Sequence, residues 1–437
     1  EKNLIMKSIY VGMSIDIFHH GHVNIIEQAA KYGELTIGLL TDEAIANHKR
    51  LPLLSYDQRY KIIKNIKGVH SVVPQEEWDY APNIKKYKPS IMVHGDDWLE
   101  GPAFPFREKA INALNSYGGQ LIEIPYTKDV SSTELVNSLY SQGITTEARK
   151  KTLKRLLQVK PILRFLETHS PISAIIAENA SFNDQNLKRQ FDGFWSSSLT
   201  DSIEMGMPDI EALDVSKRLS NIDNIFDVTT KPLIMDLDTG GKEEHFQINI
   251  RTIERLGVSA VIIEDKKGLK KNSLFGNEVA QYQEDPDVFA DKISIGRANR
   301  LSTDFMIIAR IESLILDRGM DDAIYRAKKY VEAGADGIMI HSRKKEPDEI
   351  FHFAKLFRSH FKHVPLVCVP TSYNHVKEVD LQKIGFNVVI YANHLMRSSY
   401  PAMKSVAQKI LKYGRSAEVD NELISIKDVL ALIPGTK

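Results

Sequence analysis

The chain has 437 residues, 43% of them hydrophobic, and its 57 Lys+Arg balance 57 Asp+Glu. At roughly 100–200 residues per domain this is enough for two or three domains, and a net charge of zero provides no global field for nucleic acid or an anionic membrane. The single cysteine, Cys368, excludes an intramolecular disulfide and suits a reducing cytoplasm; no apolar run approaches the ~20 residues of a membrane span, and the first residues lack a signal peptide's apolar stretch and cleavage site.

Apolar runs alternate with helical stretches over the first 140 residues. Residues 8–12, 35–40, 91–94 and 121–124 read as strands, and residues 23–32, 57–66 and 132–140 as helices. Such alternation with short connections predicts a parallel sheet covered on both faces. Residues 141–170 read as a helical linker, whose basic run from Arg149 to Lys160 is expected to be a solvated helix at the domain junction.

From residue 171 to 437 a second series begins. Its eight apolar runs are residues 172–177, 193–195, 233–235, 260–263, 306–309, 337–340, 366–369 and 388–391. Eight βα units predict a closed (β/α)8 barrel. Polar groups follow the runs in register: Glu178-Asn179, Ser196-Ser197-Ser198, Asp236 with Asp238, Glu264-Asp265-Lys266, Arg310 with Glu312, His341-Ser342, Thr371 and Asn393-His394. In a parallel barrel these strand ends converge on one face, where active sites form.

Asp236, Asp238 and Glu264 bring three carboxylates together, and these cannot all stay ionised without a cation. Mg2+ or Mn2+ is the expected neutraliser, because oxygen ligands suit it, whereas no Cys/His set fits structural zinc. Arg310 and His341 add donors for phosphoryl or carboxylate oxygens. A small phosphorylated carboxylate is therefore the expected ligand. The lysine-rich stretch from Lys266 to Ser273 reads as a loop that closes over substrate.

Glu264-Asp265-Lys266 followed by Lys270, Asn272 and Ser273 resembles the gating loop of phosphoenolpyruvate mutases in the isocitrate lyase superfamily. Further matches span residues 171–412. They are Trp195-Ser196-Ser197-Ser198-Leu199, Asp209, Asp236-Leu237-Asp238, Arg310-Ile311-Glu312, His341-Ser342, Val369-Pro370-Thr371 and Asn393-His394. The resemblance implies that amides around Trp195, Ser196, Ser197 and Leu199 hold a pyruvyl group, and that Asp209 helps position metal waters. It implies that Arg310, His341 and Asn272 steady the transferring phosphoryl group while Lys270 and Ser273 act from the loop. Superfamily lyases carry a loop cysteine, which is absent here. Phosphonopyruvate hydrolases replace the loop asparagine, so Asn272 favours the mutase over that alternative. Family members often have His-Asn-Gly after strand one, where this reading places Glu178-Asn179-Ala180. The resemblance also implies a homotetramer in which a C-terminal helix packs on a neighbouring barrel.

In the N-terminal part, His19-His20-Gly21-His22 follows the first strand and opens a helix. There it can present imidazoles to a phosphate, with glycine permitting close backbone approach. Arg59, Gly95-Asp96-Asp97-Trp98 and Val130-Ser131-Ser132-Thr133 follow in order. The set resembles cytidylyltransferases of the glycerol-3-phosphate and phosphocholine type, which implies a Rossmann-like nucleotidyltransferase domain using CTP. His19 and His22 would stabilise the α-phosphate, and Arg59, Ser132 and Thr133 would hold the triphosphate, with Lys49 and Arg50 nearby. Tyr126 stands where that family often has arginine. The acceptor is expected to be a phosphonate or phosphate; the alternative is a nucleotide-sensing domain without catalysis.

Overall fold

In the computed structural model, residues 7–99, 103–125, 144–184 and 187–433 are described. The expected helix over 132–140, with Ser132 and Thr133, and Tyr126 lie outside the described residues.

The N-terminal sheet comprises β1 (Ser8–Met13), β2 (Glu34–Leu40), β3 (Val69–Gln75), β4 (Ile91–Gly95) and β5 (Gln120–Ile124). All pairs are parallel in the order β3-β2-β1-β4-β5. The order reverses between β1 and β4, the kind of crevice where open α/β sheets bind ligands. Ile9, Val11, Ile37, Leu39 and Val93 are buried on one face, which requires the helices that cover it.

The barrel strands are β6 (Leu163–Glu167), then, after the hairpin β7 (Ser181–Asp184) and β8 (Leu187–Gln190), β9 (Gly193–Ser196), β10 (Leu233–Asp236) and β11 (Ala260–Glu264). A short pair, β12 (Lys266–Lys267) and β13 (Tyr282–Gln283), brackets the lysine-rich loop. The circuit continues through β14 (Met306–Ile311), β15 (Gly337–Ile340), β16 (Leu366–Cys368) and β17 (Val388–Tyr391), which pairs back to β6 and closes the barrel.

The first barrel strand is not the expected one. Residues 172–177 lie within the helix Pro171–Asn179, capped by Ser170, with Pro171 in its first turn and Ser173 completing a capping box. Ser173, Ala174 and Ala177 face inward while Ile172 and Ile176, one turn apart, are exposed. That is the helical period, hidden in a short apolar run. The true strand contains Arg164 and Glu167, and Glu167 is fully buried. Its Oε2 accepts from the amides of Leu395 and Met396, so it caps the C-terminal helix His394–Tyr413.

The basic run is not a solvated linker either. It forms the helix Thr146–Val159, which closes the barrel's N-terminal end. Arg149 is buried and donates to Lys231 O at 2.9 Å and Thr229 O at 2.7 Å, and buried Lys150 reaches Glu254 at 3.3 Å. On its other face Leu153 and Leu156 join the side chains filling the barrel, together with Ala46 and Leu51 of the N-terminal domain. The two domains thus meet at the face opposite the strands' C-terminal ends.

Candidate active site

The C-terminal ends of the barrel strands surround a small cavity of about 70 Å³. Trp195, Ser197, Ser198 and Leu199 form one wall, Asp236 and Glu264 the next, and Arg310 and His341 the far side. Asp209, Lys270, Asn272 and Ser273 close the mouth.

Alternation along each strand sets this arrangement. Glu264 points into the cavity. Its neighbour Asp265 points outward into a buried network of Tyr330 Oη at 2.8 Å, Gln283 Nε2 at 2.9 Å and Arg326 at 3.2 Å. Burial lifts the Asp265 carboxyl to about 7 despite Arg326. Asp265 therefore ties β11 to the loop and outer helix, and does not face substrate. The same alternation turns Ser196 away from the cavity, where its hydroxyl donates to Asp201 at 2.7 Å. Arg218 completes that hidden layer: fully buried, it donates to Asp201 at 2.9 Å and to Ser196 Oγ at 3.1 Å, and lies 3.8 Å from Asp238. Asp201 and Arg218 escaped the sequence reading because neither follows a strand directly.

The lysine-rich loop is folded over the site. Lys270 donates to Asp209 at 2.6 Å and pairs with Asp238. Asn272 Nδ2 donates to the other Asp209 oxygen at 3.0 Å, while Asn272 Oδ1 accepts from Leu274 N and caps the turn that follows. Ser273 Oγ accepts from Arg310 Nη2 at 2.6 Å and from Lys266 at 3.0 Å. Gly276 has φ +51° and a Cβ there would lie 2.6 Å from the Arg343 guanidinium, so the turn requires glycine.

Charge is balanced around these contacts. Burial opposes ionisation of Arg310, but Glu312 and Glu264 keep it firmly cationic. Glu312 is held well below its usual range by Arg310 and Lys266 against the cost of burial. His341 is lowered by burial and by Arg310, so it is neutral near pH 7, with Nδ1 3.4 Å from Glu312. Burial raises Asp238 to about 6 and Glu264 to about 7, whereas Lys270, Arg310 and Arg218 overcome burial to hold Asp236 below its usual value.

The expected three-carboxylate metal cluster is not presented as such. Among the described residues no three His, Cys, Asp or Glu side chains converge closely enough to hold a metal ion. Asp238, with a left-handed φ of 53°, is turned toward Lys270 and Arg218. Asp236 faces the cavity and accepts from Ser198 at 2.9 Å. The donor set still fits a hard cation that keeps several waters and uses few protein oxygens.

Strand β6 ends at Glu167, followed by Thr168, His169 and Ser170, so a histidine does follow strand one. Its Nδ1 side is bound to Glu167. Glu178 instead sits at the barrel's opposite end, paired with Arg50 of the N-terminal domain. Cys368 is fully buried in the barrel's core, where burial pushes its thiol pKa up.

In the N-terminal domain, the helix His20–Ala30 opens with a capping box built from histidines. Gly21 N donates to His19 Nδ1 at 3.1 Å and His19 N donates to His22 Nδ1 at 3.2 Å. An Nδ1 that accepts a hydrogen bond carries no proton, so each neutral ring has its hydrogen on Nε2. Burial, then His19 and Lys49, depress His22 to about 3, and burial also lowers His19. Lys49 Nζ lies 3.4 Å from Ser14 Oγ beside this turn.

Arg59 does not reach out as a phosphate ligand. It is fully buried, donating to Leu54 O, Ser14 O and, at 2.7 Å, Asp42. It braces the turn before the histidines from below. Trp98 is likewise a core residue, stacked on His94 with centroids 3.7 Å apart.

The fold and site define a (β/α)8 enzyme whose mouth combines carboxylates with phosphate-type donors under a closed loop. A family model described as phosphoenolpyruvate phosphomutase matches residues 153–411, and one described as cytidylyltransferase-like matches residues 10–138. The phosphonopyruvate hydrolase of Variovorax sp. (strain Pal2) is 35% identical over 291 residues, 65% of this chain and 94% of the relative. The phosphoenolpyruvate phosphomutase of Tetrahymena pyriformis is 33% identical over 303 residues, 68% of this chain and 95% of the relative. The solved phosphoenolpyruvate phosphomutase of Streptomyces platensis subsp. rosaceus superposes with a TM-score of 0.60 at 30% identity, covering 66% of this chain and 95% of that one. A phosphonopyruvate hydrolase solved with oxalate and Mg2+ gives a TM-score of 0.58 at 33% identity, covering 66% and 95%. This chain belongs to the phosphoenolpyruvate phosphomutase family, in the phosphoenolpyruvate mutase/isocitrate lyase superfamily, and carries an N-terminal cytidylyltransferase-like domain. No helix among the described residues is long and apolar enough to cross a membrane.

Proposed function

We propose that the barrel interconverts phosphoenolpyruvate and 3-phosphonopyruvate. The bond from phosphorus to the enol oxygen breaks, and one from phosphorus to C3 of pyruvate forms. The observation that carries this reading is the loop amide of Asn272, fixed on Asp209 over a cavity flanked by Arg310 and His341. Those three groups steady the phosphoryl group between its two bonds. The amides from Trp195 to Leu199 hold the pyruvyl oxygens. Lys270, bonded to Asp209 and Asp238, keeps the loop shut and water out. Mg2+ or Mn2+ would be held at Asp236, with Glu264 and Asp238 contributing charge, and would supply electrostatic stabilisation of the enolate oxygens.

The similarity to a phosphonopyruvate hydrolase favours one competing reading, in which water takes the phosphoryl group. Phosphorus NMR on phosphonopyruvate with Mg2+ separates them: phosphoenolpyruvate appears for the mutase, free phosphate for the hydrolase.

The N-terminal domain is read as transferring CMP from CTP to a phosphonate or phosphate acceptor, whose oxygen attacks the α-phosphorus as pyrophosphate leaves. The neutral His19 and His22 rings, with Nε2–H donors, and Lys49 support it. Pyrophosphate release from CTP with 2-aminoethyl- and 2-hydroxyethylphosphonate tests it; CTP binding without turnover would indicate a sensor.

The C-terminal segment supports a homo-oligomer. Tyr400, Met403 and Leu411 on the last long helix are exposed, as are Leu423, Ile426 and Leu430 beyond it. Exposed apolar surface on this scale calls for a partner, here a second copy within a tetramer. A monomer by light scattering would contradict it. The buried lone thiol fits a cytoplasmic enzyme.

A further inference from the structure

Beside the apolar contact between the domains, the seam opens into a cavity of about 420 Å³. Its walls come from the segment 48–55 of the N-terminal domain, the helix Thr146–Val159, and barrel loops around Phe191 and Pro232. It lies at the barrel's N-terminal face, on the far side from the cavity roofed by Lys270.

The seam cavity is amphipathic. Leu51, Pro52, Leu54, Phe191 and Pro232 supply apolar surface. Most of its cations are already engaged: Arg50 pairs with Glu178, Lys160 with Asp192 at 2.7 Å, and Lys231 donates to Glu178 O at 2.7 Å. Arg155 is shared with Asp42 at 3.3 Å. Lys151 and Lys188, from different walls, are paired with no carboxylate among the described residues. The acidic lining offsets them only in part. Asp192 is taken by Lys160 and by Arg164 N at 2.9 Å, whereas Glu147, which accepts from Thr146, keeps its charge near Lys151 and leaves Lys188 on another wall and Arg155 further along the helix.

We infer that this seam cavity binds a small organophosphate or organophosphonate, its dianionic phosphorus group on Lys151, Lys188 and Arg155 and its apolar or ring portion against Leu51, Pro52 and Phe191. The volume falls in the range of about 300–1,000 Å³ typical of small-molecule sites, which favour domain interfaces. Lysine and arginine together suit a phosphorus dianion. Two sources share this chemistry: a nucleotide such as CMP, and a phosphonate. The naming of those sources rests on the proposed function; the cavity and its charge do not.

An occupant would touch the segment that supports the transferase turn. Leu53 N donates to Asp16 at 2.7 Å, and Leu53 O accepts from Arg155 at 3.1 Å. Ligand on Arg155 therefore reaches the turn before His19 through one residue.

The test is calorimetric titration of the full chain with CMP, 2-aminoethylphosphonate and inorganic phosphate, on wild type, on Lys151→Glu/Lys188→Glu and on His22→Asn. The expected result is an organic probe that binds wild type and His22→Asn equally. It should bind the charge-reversed variant about tenfold or more weakly, with thermal midpoint and barrel turnover unchanged in that variant. Binding of CMP identifies a nucleotide ligand, and binding of 2-aminoethylphosphonate alone a phosphonate. The inference is overturned if charge reversal leaves all binding intact, if the signal vanishes in His22→Asn, if inorganic phosphate binds as tightly as the organic probes, or if no probe binds. Failure of CMP transfer would remove the transferase reading and leave the seam titration interpretable.

Discussion

The Lys270 ammonium lies 2.6 Å from Asp209 Oδ1, joining the loop after β11 to the segment after β9 across the barrel mouth. Burial opposes its charge, yet Asp238, Asp236 and Glu264 hold its pKa well above the ordinary lysine value. One side chain thus both closes the loop and neutralises the acidic wall.

Replacing it should open the site. Lys270→Ala is expected to lower turnover of phosphonopyruvate roughly 100-fold, the scale set by misplacing groups at a reacting centre. Limited proteolysis should then cut the loop in the variant before the intact chain. Wild-type turnover with a protease-resistant loop would refute this role.

Chelation probes the carboxylates. EDTA should abolish barrel activity, and added Mg2+ or Mn2+ should restore it. Asp236→Ala, which removes the carboxylate facing the cavity beside Ser198, should stay at least roughly 100-fold down even in excess metal. Full activity in Asp236→Ala, followed by phosphorus NMR, would show that the metal is held elsewhere.

Arg59 is predicted to act through stability. Its guanidinium is fully buried and the Asp42 side chain is 14% exposed, so Arg59→Ala leaves Asp42 with only Arg155 at 3.3 Å, strips the buried donor from Leu54 O and Ser14 O, and should cost about 2 kcal/mol. A thermal scan should show a clearly lowered midpoint for the N-terminal transition. An unchanged midpoint with weakened CTP binding would return Arg59 to the phosphate-ligand role implied by the family resemblance.

His22 gives a pH signature. Its folded pKa of about 3 lies below the ordinary 6.5, so between those values the unfolded chain binds the extra proton. Stability is then full above about pH 6.5 and falls as pH drops toward 3. The N-terminal transition should move down between pH 7 and 5 in wild type and less so in His22→Asn. Parallel behaviour of the two would contradict a buried neutral ring.

Much of the barrel was legible because seven of its strands are short apolar runs with polar groups at their ends. The first was missed because β6 carries Arg164 and Glu167 in its five-residue span. A charged residue reads as exposed until a partner is known, and besides nearby His169 the partners of Glu167 are amides 228 and 229 positions away. The basic helix was misread for the same reason. Arg149 is buried because carbonyls near residue 230 await it at the barrel's end.

From the sequence alone came the two-domain α/β architecture, the barrel, and the clustering of Asp236, Glu264, Arg310, His341, Lys270 and Asn272, since periodicity and strand-end position are local properties. The tertiary structure decided which of these face the cavity. It turned Ser196 and Asp265 outward, set Asp238 behind on Lys270 and Arg218, buried Arg59, and placed the histidine turn of the N-terminal domain apart from the barrel mouth, with a charged seam where the domains meet. Those outcomes depend on side-chain direction and on partners that range from five residues away, as for Ser196 and Asp201, to 128, as for Arg50 and Glu178, which no local pattern encodes.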